Sequence, residues 1–109
     1  MDEPAVFSRW YETVRFLHEI APRLPKVHRP TLVRRILDHS LELMEVLTSL
    51  RYTKSRGPLF LAADRHLDQI RVLARLMCDL RVLSVRQYER LALGVDEVGR
   101  MLGGWRKAS

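Results

Sequence analysis

The sequence holds a single cysteine, Cys78, so no disulfide can form within the chain, and the small secreted folds stapled by disulfides are excluded. No apolar run approaches the ~18 residues of a membrane span, because charged residues interrupt every long segment. No membrane partner is expected. Period-two alternation is also missing, which argues against β-strands, and there is neither an internal repeat nor a low-complexity tract. The chain begins Met1-Asp2-Glu3-Pro4, acidic and without the apolar stretch of a secretory leader, so a cytoplasmic location is the expectation. Acidic residues are absent altogether between Glu19 and Asp38.

What is present suits one globular unit. The 109 residues, 47% hydrophobic and 29% charged, match the size and composition of a single domain, 1–109, with enough apolar material for a core. Prolines and glycines are placed unevenly: Pro22, Pro25 and Pro30 cluster, Gly57-Pro58 make a second break, and Gly103-Gly104 read as a helix C-terminal cap. Every long segment between these breaks has helical period.

The first segment, from about Pro4 to Ala21, puts Val6, Trp10, Thr13, Val14, Leu17 and Ile20 on one stripe. The second, Thr31–Tyr52, starts behind Pro30 with Thr31 read as its N-cap. Its Val33, Ile36, Leu37, Leu41, Met44 and Leu47 lie side by side. Leu43, Val46 and Leu50 widen that stripe to about 220°, twice the ~100° a surface helix needs. The third, Leu59–Leu80, is equally wide, with Ala63, Leu67, Ile70, Leu73, Ala74, Leu76, Met77 and Leu80 apolar. Ser84 and Gln87 have the form of a capping box that opens a fourth helix at Val85. Along it Tyr88, Leu91, Val95, Val98, Leu102 and Trp105 alternate steps of three and four. The expectation is an all-α, up-down-up-down four-helix bundle. The two wide stripes would be covered either by a second copy of the chain or by a central place in the bundle.

Catalytic patterns are missing. The paired Glu-x-x-His motifs of di-iron bundles do not occur. The nearest arrangement is His39 with Glu42, reversed in order and on the flank of an apolar stripe, while His18, His28 and His66 lack a chelating neighbour in sequence. Cys78 has no activating motif and reads as a buried structural thiol. No glycine-rich loop follows a strand, and no Ser or Thr has a base and an orienting partner within one motif. No cofactor, metal or catalytic residue is expected, and the protein reads as a non-enzyme.

Charge is the informative feature. Lys and Arg number 19 against 13 Asp and Glu, a net charge of +6, and 16 of the 19 are arginine. Arginine suits bidentate recognition of phosphate and carboxylate. The acid-free interval holds Arg23, Lys26, Arg29, Arg34 and Arg35, and an up-down-up-down path brings it to the same end as Arg81 and Arg86. These seven cations are the candidate site for nucleic acid or a protein partner, a polyanion being bound through counterion release without base readout. On the outer faces, Asp68 with Arg71, Arg75 with Asp79, and Asp96 with Arg100 are spaced to neutralise one another.

The last helix carries a more specific pattern. Gln87-Tyr88-Glu89, followed by Asp96-Glu97-Val98-Gly99-Arg100-Met101-Leu102-Gly103-Gly104-Trp105, closely resembles the C-terminal signature of the accessory variability determinant (Avd) family of diversity-generating retroelements. Arg51-Tyr52-Thr53 before the Gly-Pro break, and Arg71, Leu73, Arg75, Leu76 and Asp79-Leu80, are similar to that family's third helix and its flanking turns. The resemblance runs from about Trp10 to Lys107. It implies a bundle that assembles into a barrel-like homopentamer and binds a reverse transcriptase together with RNA or DNA. The role implied is support of the template copying that diversifies a target gene. A related bundle family, encoded by intervening sequences in ribosomal RNA genes, offers the alternative of a structural or protein-interaction module. Within the signature, Gly99 reads as a point of close helix approach and Gly103 as the residue that ends the helix and lets Trp105 fold back.

Overall fold

In the computed structural model, which describes residues 4–108, four α-helices occupy the segments between the breaks. Helix α1 spans Ala5–Ile20, α2 Arg34–Leu50, α3 Gly57–Asp79 and α4 Val85–Ala108. No strand occurs among the described residues. Met1, Asp2 and Glu3, the acidic opening of the sequence, lie outside them.

The helices run antiparallel to their neighbours. Across the α1–α4 seam the facing pairs are Arg9 with Glu97, Thr13 with Gly94 and Phe16 with Arg90, numbers rising on one helix as they fall on the other. Asp64 with Arg106 and Arg71 with Asp96 show the same reversal between α3 and α4. With α2 packed on both α1 and α3, and α4 closing against α1, the topology is the up-down-up-down bundle. Its long dimension, 42 Å, is set by α4, whose 24 residues span about 36 Å at 1.5 Å per residue.

The helical stripes meet in the middle. All six stripe residues of α1 are buried, joined by Phe16. Trp10 is fully enclosed and its indole Nε1 donates to the Ser40 carbonyl at 2.9 Å, while Ser40 Oγ donates to Leu37 O. Ser40, a small polar residue in the middle of the α2 stripe, therefore makes room for the indole and satisfies its only donor. From α2 come Ile36, Leu43, Leu47 and Leu50, from α3 Phe60, Ala63, Leu67, Ile70, Ala74 and Met77, and from α4 Leu91, Val95, Val98 and Leu102. The outer edges of the two wide stripes stay in solvent: Leu41 is exposed on α2, Leu76 on α3 and Leu80 just past its end. Cys78 is half-buried rather than buried.

Helix ends follow local chemistry, with differences from expectation. The Ser84–Gln87 capping box forms in both directions, Ser84 N to Gln87 Oε1 at 2.9 Å and Gln87 N to Ser84 Oγ at 3.0 Å. Thr31 is not an N-cap. It lies inside a π-turn, Arg29–Val33, that runs directly into α2. Gly103 and Gly104 do not cap α4, which continues through both to Ala108. Glycine costs about 1 kcal/mol relative to alanine in a helix. Packing on α3 offsets that cost: Trp105 meets the Phe60 ring edge-on at 5.8 Å, and Arg106 donates to Asp64 at 2.7 Å. Trp105 thus reaches the core from within the helix instead of folding back.

The close helix approach is at Gly94 rather than Gly99. A Cβ at Gly94 would collide with the buried Thr13 side chain, whereas one at Gly99 would meet the movable end of Arg71 and touch Leu67 at ordinary contact distance. The expected pairs Arg75–Asp79 and Asp96–Arg100 are not formed among the described residues. Asp96 turns instead across the helix seam to Arg71, 3.7 Å away, and Arg71 also holds Asp68 at 3.1 Å.

Candidate nucleic-acid interface

The cationic end is built by two chain reversals. Pro22, Pro25 and Pro30 prevent a continuous helix between α1 and α2, since each lacks the amide that the ladder needs. The chain crosses in two 3₁₀ turns, Ala21–Arg23 and Lys26–His28, before the π-turn. Leu24 anchors this crossing in the core. Arg29 ties it together, donating from Nε to Leu24 O at 3.1 Å and from its terminal nitrogen to Pro22 O. Its guanidinium therefore shapes the crossing.

The remaining cations of the crossing face solvent. Arg23, Lys26 and Arg35 are exposed, without an ion pair among the described residues. Arg34 is exposed as well but stands 3.9 Å from Asp38, the first acid after the gap. That partly corrects the expectation that the whole segment lacks acidic neighbours. An exposed pair at this distance is weak.

The second reversal, between α3 and α4, contributes Arg81 and Arg86. The α3 end is a Schellman closure: Val82 N donates to Met77 O at 2.8 Å and Arg81 N to Cys78 O at 3.0 Å. Such a closure puts one residue in the left-handed region, usually glycine. Here it is Arg81, at φ 61°. Arg86 sits in the first turn of α4, which has no acidic residue. A cation at a helix N-terminus opposes the helix dipole by about 0.3–1 kcal/mol. Because α1 and α3 both end where α2 and α4 begin, the two reversals share one end. Of the seven cations expected there, Arg23, Lys26, Arg35, Arg81 and Arg86 present unpaired charge among the described residues, Arg34 is lightly paired and Arg29 is engaged in the backbone.

At the opposite end Lys54 and Lys107 are likewise exposed and without an ion pair among the described residues, while arginines there are engaged. Arg106 pairs with Asp64 and lies over Phe60, Arg56 lies over Trp105, and Arg51 over Tyr52. Along the α1–α4 seam, Arg9 bonds Glu97 and Arg90 stacks 4.2 Å from the Phe16 ring centre.

One cluster away from this end was not visible in sequence spacing. His66, on α3, comes to His39 and Glu42 on α2: the two Nδ1 atoms are 3.0 Å apart, and Glu42 Oε2 is 3.5 Å from His66 Nδ1 and 3.9 Å from His39 Nδ1. Burial lowers the His66 pKa, Glu42 opposing and His39 reinforcing the shift, which favours the neutral ring. The separation of 27 positions between the histidines hides the cluster until α2 and α3 are set antiparallel.

The fold is thus a four-helix bundle with five exposed cations, unpaired among the described residues, at one of its ends. The chain belongs to the bAvd-like family, whose pattern matches residues 6–109. The resemblance read in α4 therefore holds for nearly the whole chain, and this is an Avd-type protein. No curated protein matches it. In the fold, the signature residues are helix-locking groups: Gln87 in the capping box, Asp96 on Arg71, Glu97 on Arg9 and Trp105 on Phe60. No helix among the described residues is long and apolar enough to cross a membrane.

Proposed function

We propose that this protein is a non-catalytic accessory factor of a diversity-generating retroelement, acting in the cytoplasm and holding the reverse transcriptase and its template RNA through the cationic end. Family membership supports the retroelement setting. The observation that carries the site is the gathering of Arg23, Lys26, Arg35, Arg81 and Arg86, exposed and without ion partners among the described residues. Holding like charges together costs free energy that a phosphate backbone would return as counterion release. DNA would be held by the same term, which does not depend on base sequence. Assembly into a homopentamer, the state the family resemblance implies, would repeat the patch around a ring.

The test is copurification with the reverse transcriptase from the same locus, together with RNA titrations across salt concentration. Affinity should fall linearly on a log–log plot with a slope of about −0.7 to −0.9 per phosphate neutralised. Replacing Arg23, Lys26 and Arg35 by Gln should flatten that slope by about 2–3. Arg15→Gln, which removes an exposed arginine paired to Glu19 at 2.9 Å on α1, should leave it unchanged. Equal effects of the two variants would move the interface elsewhere.

A further inference from the structure

We propose that His39, Glu42 and His66 form a binding site for a divalent transition metal of the zinc class, which clamps α2 to α3. The three atoms that face one another are His39 Nδ1, His66 Nδ1 and Glu42 Oε2, at separations of 3.0, 3.5 and 3.9 Å. The point equidistant from the corners of that triangle lies about 2.0 Å from each, the length of zinc–imidazole and zinc–carboxylate bonds. A small displacement from the plane leaves a face for a fourth ligand, and half-exposed Glu42 gives water access to it.

The chemistry of the donor set points the same way. Two histidines and a glutamate are a recurrent zinc set that keeps one position open. Both imidazoles turn the same nitrogen, Nδ1, toward the other; without a cation only one of them can donate to the other, and Glu42 makes no hydrogen bond to either among the described residues. A cation accepts all three lone pairs at once. The histidine side chains are only 23% and 19% exposed, so they are already held by packing and lose little freedom on ligation. Two of the ligands, His39 and Glu42, are three residues apart on one helix face, and the third comes from the neighbouring helix. The metal would thus join elements distant in sequence, independently of the cationic end.

The test is titration of chelator-treated full chain with Zn²⁺ by calorimetry, with thermal melting alongside. One Zn²⁺ per chain and a raised melting temperature are expected. His39→Ala and His66→Ala should each weaken binding about 100-fold or more, and Glu42→Gln at least about tenfold, since even outer-shell changes reach that range. His18→Ala should bind as the unaltered chain does. Co²⁺ should give a ligand-field absorption band that His66→Ala loses. Absence of binding by the unaltered chain overturns the site, as does undiminished affinity in His66→Ala. Should His66→Ala lose its helical signal, Glu42→Gln decides, because its carboxylate is half exposed and undiminished affinity there is equally fatal to the site.

Discussion

Arg81 holds a conformation that costs an L-residue about 1–2 kcal/mol, at the turn where the chain leaves α3. Backbone strain is retained where the side chain has a use, and here the side chain is one of the unpaired cations of the cationic end. Arg81→Gly is expected to raise stability by about 0.5–1 kcal/mol in urea unfolding while lowering RNA affinity; a variant that gained stability with no loss of affinity would remove Arg81 from the interface. Gly94 poses the opposite case. Gly94→Ala would improve helix propensity, yet its new methyl meets Thr13, which is buried and held by Arg9. Overpacking of this kind costs about 1–3 kcal/mol, and Thr13→Ala in the same chain should recover most of it, a coupling that a double-mutant cycle reads directly. Arg81 was legible as a cation of this end, but neither its left-handed backbone nor the close approach at Gly94 announced itself in the sequence. The capping pair Ser84–Gln87 did, because both of its partners lie within one turn, whereas Gly94 gains meaning only when Thr13 is known to lie opposite.

At the scale of the element, α4 shows tertiary packing overriding local propensity. Two consecutive glycines should end a helix, and Gly103-Gly104 were expected to do so; the last turn persists through Trp105 on Phe60 and Arg106 on Asp64. Trp105 is only half-buried, so Trp105→Ala should cost about half of the ~3–5 kcal/mol of a fully buried ring. Amide protection should vanish over residues 103–108 while the rest of α4 stays protected in hydrogen exchange. Loss of protection throughout α4 would show that the final turn is no separate unit. The inward stripes of all four helices were legible because a 3.6-residue period declares itself in any apolar face. Which flank of a wide stripe meets a neighbour was not legible: Leu41, Leu76 and Leu80 stand outside the core, so a central place in the bundle does not cover the whole of either stripe. Charge pairing failed for the same reason: Asp96 had a partner four residues away in Arg100 and chose Arg71 on the next helix.

At the scale of the molecule, the exposed apolar residues remain to be accounted for. Val72 and Leu76 on α3 and Leu80 just past its end recur at four-residue steps, and Leu93 is exposed on α4, with exposures of 65%, 41%, 50% and 53%. A row of this kind suits burial against another copy of the chain. Light scattering at micromolar concentration is expected to give a mass several times the 12.8 kDa of one chain, and Val72→Glu with Leu76→Glu to return it to one. A single-chain mass for the unaltered protein would leave those residues without that role.

The reversed helix order also decides which way the molecule can be handled. Because α1 begins, and α4 ends, at the end opposite the two arginine-bearing reversals, Pro4 and Ala108 lie on the same side as the connection between α2 and α3. A fluorophore or an immobilisation tether attached at either of these positions therefore sits far from the cationic end. A circular permutant opened between residues 51 and 56 would carry its new ends on that same far side, leaving the cationic end covalently intact.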